Sequence, residues 1–536
     1  LIAVVLLAAG ARAEEAASGP EPGPTAAGWG LTDDIRLEIP GDYRFRWGYR
    51  SAIDADAFGK DDPRLHLGEH RLRVEPKLAV YDFLSLNTQL DIFRGNLWSN
   101  VTGRDHLVYG DLDRADIDGF DADRFLLRKL WAEIKTPVGV VHAGRQGSFW
   151  GTGILANDGD GYRNDWGDAR FGDIVDRVLF ATKPVNLLTG GATDLNWIVA
   201  FAYDDVVDDD FTNRLSRSEV DLFHLFNGEK GENDDARQFI LSTLYRSEIF
   251  DSGVYLVWRE AHEGRNAVTG EKVPNTRNTT IAFVVDYYGR IQIPVGEGQN
   301  VFAEGEVAFI TGQTEQNVAN DTPTPPTRSD VDQLGWLVRG GWRSETFDAE
   351  AEVGYASGDD NPFDDNQRAF RFDRDFNPSL LLFEEALAAQ TATAAYNLSD
   401  PSLVGTPPEN IDNFPSNGSV VGAVYAKGTL RLRPTEELLL LTSVLYAQSE
   451  EDVADPFTMN VITGGANSNF LGGRGSKREL GWEVDWGAQY TIVGEWARLV
   501  LGVQAGWLFP CNAFDDAAGR RMNDVYTVQG RANVIW

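Results

Sequence analysis

Apolar and polar residues alternate with a period of two along most of this chain. Tyr43, Phe45, Trp47 and Tyr49 share one parity, and Arg44, Arg46 and Arg50 take the other. Leu195, Trp197, Val199, Phe201 and Tyr203 repeat the pattern, as do Ile281, Phe283, Val285 and Tyr287. Leu334, Trp336, Val338 and Trp342 are offset from Arg339 and Arg343, and Leu480, Trp482, Val484 and Trp486 from Glu483 and Asp485. Successive side chains on a strand point to opposite faces, so each stretch predicts a strand with one apolar and one polar face. The reading gives about 18 strands of roughly 9 to 14 residues, the length of a tilted membrane span. They fall near 42–51, 66–80, 84–95, 124–136, 139–147, 174–183, 194–204, 237–248, 252–263, 278–289, 300–312, 333–345, 347–357, 420–432, 438–449, 478–491, 497–509 and 525–536.

The connections sort into two kinds. Tight ones are predicted at Tyr81–Phe83, Pro137–Val138, Phe250-Asp-Ser, Glu345-Thr-Phe, Pro434–Glu437 and Val493–Trp496. Long ones cover 95–123, 148–173, 205–236, 313–332, 358–419 and 450–477. Alternating short and long connections are the pattern of an outer-membrane barrel, with periplasmic turns at one end and extracellular loops at the other. Trp and Tyr near the segment ends fit aromatic girdles at the membrane interfaces. The predicted fold is all-β: a single transmembrane antiparallel β-barrel over 35–536.

The chain ends agree with export. Ile2 to Ala9 is apolar and Ala11-Arg12-Ala13 is a small-x-small cleavage site, so 1–13 reads as a secretory signal peptide truncated at its start. Residues 14–34 read as a periplasmic linker, rich in Pro, Gly and Ala up to Gly28. Tyr526, Val528, Gly530, Ala532, Val534 and Trp536 form one face of a last strand that ends in an aromatic residue. This resembles the closing strand by which the barrel-assembly machinery reads bacterial outer-membrane proteins. No apolar run reaches the ~20 residues of a transmembrane helix.

Composition narrows the function. Among 536 residues, Lys+Arg number 48 and Asp+Glu 82, a net charge of −34, which excludes a basic nucleic-acid-binding face. One cysteine, Cys511, excludes a disulfide scaffold. Much of the acid lies in predicted loops, at Asp204–Asp210, Asp359-Asp360, Asp364-Asp365 and Glu450–Asp452. Asp158 and Asp160, with Asp208 and Asp209, are candidate Ca²⁺ ligands, because hard cations favour clustered carboxylates. The same runs equally suit solvated loops or loose divalent bridges to lipopolysaccharide. No other metal or cofactor is expected. The six histidines show no catalytic spacing, and no enzyme activity is expected.

The parity opposite the lipid face is rich in base. Arg44, Arg46, Arg71, Arg73, Arg259, Arg339, Arg343, Arg431 and Arg433 lie on it, with fewer acids such as Asp91, Asp204, Glu304, Glu350 and Glu483. Two readings stand. A surplus of guanidinium on the inner wall attracts anions, or the arginines pair with acids on neighbouring strands and only stiffen the wall. Within 358–419, Ser379–Gln390 predicts a helix, which either folds into the lumen as a constriction or caps the outer rim.

Three stretches resemble the alginate-export porin family: Gly144-Arg-Gln-Gly-Ser-Phe-Trp-Gly-Thr-Gly-Ile-Leu-Ala-Asn-Asp-Gly-Asp-Gly161, Tyr355-Ala-Ser-Gly-Asp-Asp-Asn-Pro362, and Leu480–Asp485 with Ala505–Pro510. Cys511 stands where that family tends to have Gly. The resemblance implies an 18-stranded monomeric barrel passing a polyanionic polysaccharide. It also implies that Arg44, Arg46, Arg71, Arg73, Arg128 and Arg145 match the basic conduit. The expected function is an outer-membrane porin or exporter of a Gram-negative bacterium, passing anionic small molecules or an anionic polysaccharide by diffusion. Its expected partners are outer-membrane lipid, lipopolysaccharide and the barrel-assembly machinery, with no nucleic acid. The alternative is a closed surface barrel whose acidic loops bind a partner.

Overall fold

A flat sheet cannot sit in lipid, because its edge N–H and C=O groups would be left without partners. This chain closes its sheet. The computed structural model describes residues 29–32, 34–100, 125–160, 164–168, 172–193, 195–209, 235–262, 279–316, 328–408 and 411–536. The barrel strands are β1 (Gly41–Arg50), β2 (Leu65–Val74), β3 (Leu84–Ser99), β4 (Leu126–Thr136), β5 (Gly139–Gly147), β6 (Ile174–Thr182), β7 (Trp197–Asp208), β8 (Asp235–Arg246), β9 (Phe250–His262), β10 (Thr279–Gly296), β11 (Gln299–Thr314), β12 (Ser329–Ser344), β13 (Phe347–Ala356), β14 (Ala423–Leu432), β15 (Leu438–Ser449), β16 (Glu479–Val493), β17 (Arg498–Pro510) and β18 (Val525–Ile535). Each pairs antiparallel with the next, and β18 returns to β1 in the register Trp47↔Gly530 and Arg46↔Arg531. Gly41 and Trp536 exchange both backbone hydrogen bonds and complete the seam.

All the strands expected from the alternation are present, with local differences. The predicted strand 66–80 divides at Glu75-Pro76, where proline lacks the N–H that a ladder needs. Beyond the break, Lys77–Val80 pairs with Ile35–Glu38, which pairs in turn with Trp29–Thr32, building a small sheet at the periplasmic end. The end of the expected 14–34 linker is therefore a strand. The expected signal peptide and residues 14–28 lie outside the described residues. The turn expected at Phe250-Asp-Ser sits at Ser247–Ile249 instead, because Ser247 Oγ bonds both the N–H and the C=O of Phe250 and tightens the chain there.

The outer face is apolar. Phe283, Val285 and Tyr287 of β10 and Val307 and Phe309 of β11 all stand exposed, while Asp286, Glu304 and Glu306 of the opposite parity are buried. A row of outward charges bounds this belt at the extracellular end, running in register through Arg145, Asp176, Asp205, Arg237 and Glu260. A closed barrel with a lipid-facing apolar belt and long loops at one end belongs in the bacterial outer membrane. No described helix is long and apolar enough to cross a membrane.

A barrel of this strand number leaves an aqueous channel unless something fills it. Here the main cluster of buried apolar side chains lies inside the lumen. It gathers Phe370, Phe372, Leu380–Phe383, Ala388 and Ala389 from the 358–419 loop, and Trp166 from the 148–173 loop. The helix expected near 379–390 runs over Leu382–Leu398, with its first turns π-wound, and it folds inward rather than capping the rim.

The belt predicts a depth-dependent penalty. Val285→Arg, near its middle, should cost about 2–4 kcal/mol in equilibrium unfolding from lipid vesicles, and Ile293→Arg, at the periplasmic interface, about 0–1 kcal/mol.

Candidate functional site

Two loops enter the lumen, and the wall holds both. The 148–173 loop leaves β5, crosses the barrel and returns to β6. Near its start, Trp150 Nε1 donates to Asp286 at 2.8 Å and stacks on Tyr255, with ring centroids 4.9 Å apart. Thr152 donates to Glu306 from Oγ1 at 2.7 Å and also from its backbone N–H. On the far wall, Asp165 accepts from Arg431 Nε at 2.9 Å, and Gln504 bonds both the carbonyl of Asp165 and the N–H of Gly167. The second loop is held by Glu483, whose carboxylate accepts the N–H groups of Leu380, Leu381 and Leu382 at 2.7–2.9 Å. Those N–H groups open the lumenal helix and have no partner within it, so a wall acid satisfies them. Arg50 of β1 bonds Glu385 at 3.0 Å one turn further on.

The charges on the wall divide into two sectors. Through β9–β14 the bases are matched to acids on neighbouring strands. Arg339 pairs with Glu304 at 2.5 Å, Arg343 with Glu350 at 3.6 Å, Lys427 with Glu352 at 3.0 Å, Arg433 with Asp348 at 2.9 Å and Arg290 with Asp251 at 2.8 Å. Arg343 also stacks over the Phe302 ring at 3.7 Å. Across β18, β1, β2 and β3 the arrangement changes, and arginines stand opposite arginines. Arg44, Arg71 and Arg94 lie directly opposite one another in register, so three arginines form a row along the inner wall. Arg46 and Arg531 form a second pair in register beside them. Acids stand against this group too: Asp42 against Arg71 (3.1 Å), Glu69 against Arg46 (3.5 Å) and, from the crossing loop, Asp168. Asp168 reaches Arg46 at 2.9 Å, Arg531 at 3.4 Å and Arg44 at 3.5 Å.

The expected site residues separate accordingly. Arg44, Arg46 and Arg71 belong to the basic sector. Arg73 is bound to Asp91 at 2.6 Å, and Arg128 is buried beside that pair. Arg339, Arg343, Arg431 and Arg433 belong to the matched sector, and Arg259 pairs with Asp209 at 2.5 Å. Arg145 does not line the lumen. It shares an outward row with Asp176, to which it bonds at 2.9 Å, whereas the neighbouring Arg177 faces inward to Asp204. The cause is local: β5 carries apolar residues on both parities, and Gly144, at φ 125°, occupies the inward position opposite Arg177. A Cβ at Gly144 would sit 2.4 Å from the Leu130 carbonyl.

The expected calcium ligands meet cations of the wall. Lys129 lies 3.4 Å from Asp160 and 3.9 Å from Asp158, and Asp209 is held by Arg259. Asp208 ends β7 opposite Ile174. Among the described residues, no three His, Cys, Asp or Glu side chains gather as a metal site would require. Sequence reasoning missed Asp165 and Asp168. Their one signal was Asp165-Trp-Gly-Asp168, an acid–aromatic motif in a long loop of a chain with basic strands.

No known protein family and no curated protein matches this sequence. Solved porin structures share its outline. OccK2 (OpdF) of Pseudomonas aeruginosa is 9% identical with a TM-score of 0.48, over 93% of this chain and 97% of that one. OccK2 (OpdF) in complex with glucuronate is 9% identical with a TM-score of 0.46, over 96% and 99%. OccAB1 of Acinetobacter baumannii is 10% identical with a TM-score of 0.47, over 96% and 100%. The alginate-export resemblance rests on its three sequence stretches. The third of these supplies Glu483, which holds the lumenal helix.

Burial raises the Asp168 carboxyl, but Arg46, Arg44 and Arg531 outweigh it and hold the group down at about 2. A depressed carboxyl contributes stability above the unfolded value near ~3.9 and loses it as the pH falls through the folded value. Asp168→Asn should therefore destabilise the barrel by about 2 kcal/mol near neutral pH. The difference from the parent should vanish as the pH drops from about 4 to about 2, read as the guanidinium midpoint in detergent micelles.

Proposed function

We propose that this chain is an outer-membrane porin whose inner wall favours small anionic solutes. The observation that carries the reading is the in-register row Arg44, Arg71 and Arg94 with Arg46 and Arg531 beside it. Like charges directly opposite on neighbouring strands destabilise a sheet, so such a row is costly unless an anion stands in front of it. Guanidinium offers paired donors that match a carboxylate or phosphate. Several arginines in sequence let a solute move from one to the next and leave.

Asp168 sets the strength of this field. It places one negative charge against three arginines, which lowers the hold on each passing anion without cancelling the sector's sign. Two loops narrow the lumen, which favours a small solute over a polysaccharide chain. On this reading the barrel works as a monomer among outer-membrane lipid and lipopolysaccharide, and its last strand is the part read by the barrel-assembly machinery.

The test is the reversal potential of the purified protein in a planar bilayer under a salt gradient. Anion preference is expected. Arg44→Gln together with Arg71→Gln should shift the potential toward cations, and Asp168→Asn should shift it further toward anions. A barrel that carries no current, with or without 358–419, would instead support a closed surface protein.

A further inference from the structure

The extracellular half of the lumen holds a cavity of about 430 Å³ between the β9–β12 wall and the inward loop, within the ~300–1,000 Å³ of small-molecule sites. Its wall departs from the rest of the inner face. Val257, Val284, Ile310 and Gln333 follow one another in register across β9 to β12, all on the inward parity. The interior of a porin is polar, yet this row is three apolar residues ending in an amide.

The hydrogen-bonding groups around the cavity fall into two classes. The charged ones are engaged. Arg259 pairs with Asp209, Arg371 donates to the Asn413 carbonyl at 3.0 Å, and Asp373 accepts the N–H groups of Asn157 and Asp375. Glu451 and Asp452 share Arg478. Among the uncharged ones, three side chains retain capacity. Ser419 is 1% exposed and lines the cavity, and its hydroxyl has no partner among the described residues. The side-chain amides of Gln333 and Asn413 also line the cavity and make no hydrogen bond among the described residues.

An apolar strip beside unspent amides and a hydroxyl, with the neighbouring charged groups already hydrogen-bonded within the protein, matches a ligand that is uncharged, apolar on one face and rich in hydroxyls. We propose that this vestibule binds a neutral monosaccharide or disaccharide. Its ring face lies along Val257, Val284 and Ile310, and its hydroxyls bond Gln333, Asn413 and Ser419. Amides suit vicinal hydroxyls because each donates and accepts. The site is separate from the arginine row across the barrel and does not depend on the porin reading, since a closed barrel would bind the same ligand.

Binding is measured on the full chain in detergent micelles by titration calorimetry, with glucose and maltose as probes and glucuronate as the charged comparison. A saturable isotherm for a neutral sugar is expected. Ser419→Ala and Gln333→Leu should each weaken it about 3- to 10-fold, the loss of one hydrogen bond. Val284→Phe, which fills the strip, should weaken it without removing a polar group. Gln333 is only partly buried, so its variant keeps the test intact if Ser419→Ala fails to fold. No heat from either neutral sugar up to roughly 100 mM, a hundredfold above a millimolar Kd, would overturn the proposal. So would glucuronate binding more tightly than both neutral sugars, or binding that none of the three variants alters. Conductance does not enter these outcomes, so the anion-porin reading stands or falls separately.

Discussion

The structure depends on one constraint, which is that lipid offers no partner to a backbone hydrogen bond. A sheet in that solvent must close, and once closed it has two faces with opposite demands. The outer parity can hold little but apolar residues. The charge that this acidic chain carries on its strands is therefore driven to the inner wall. There, direct cross-strand neighbours decide whether each charge is matched. The Glu304–Arg339–Glu352 and Glu350–Arg431 contacts show the matched solution. The Arg44–Arg71–Arg94 row shows the other, in which like charges face one another across the strands.

The same wall charges explain why the lumen is not an open tube. A loop entering a barrel brings backbone N–H groups and side-chain acids that need partners away from bulk water. Wall acids accept from the loops: Asp286 from Trp150, Glu306 from Thr152, Glu483 from Leu380–Leu382. Wall bases receive the loops' own acids: Arg431 takes Asp165, and Arg46 takes Asp168. The constriction is thus fastened by polar contacts at several heights. Apolar packing of Trp166, Phe370 and Leu380–Phe383 fills the space between them.

The strands were legible in the sequence because a half-buried strand writes its environment at every second residue. The alternation in Tyr43–Arg50 or Ile281–Tyr287 has no helical counterpart. Helix 382–398 was visible in part as the stretch Ser379–Gln390. Its direction into the lumen was not, because that is set by Glu483, about a hundred residues away. Arg145 was assigned to the wrong face because β5 carries apolar residues on both parities, and the inward neighbour Gly144 carries no side chain at all. Asp168 was invisible for a further reason: its role comes from three arginines on β1 and β18, at opposite ends of the chain. Local pattern yields the wall, whereas contacts across the lumen need the closed barrel.

The seam between β1 and β18 has a consequence for assembly. Its two partners are the first and last barrel strands to be synthesised, so no shorter length of chain can make this contact. Until Gly41 meets Trp536, the growing sheet keeps two open edges, each able to template pairing with a foreign strand. Closure joins strands far apart in the chain, and the entropy it loses is recovered only when the ladder Thr527↔Arg50 to Ile535↔Asp42 forms as a unit. Barrel completion in this protein is therefore a late, all-or-none event. Until that moment the open edges leave the chain free to associate with its own copies.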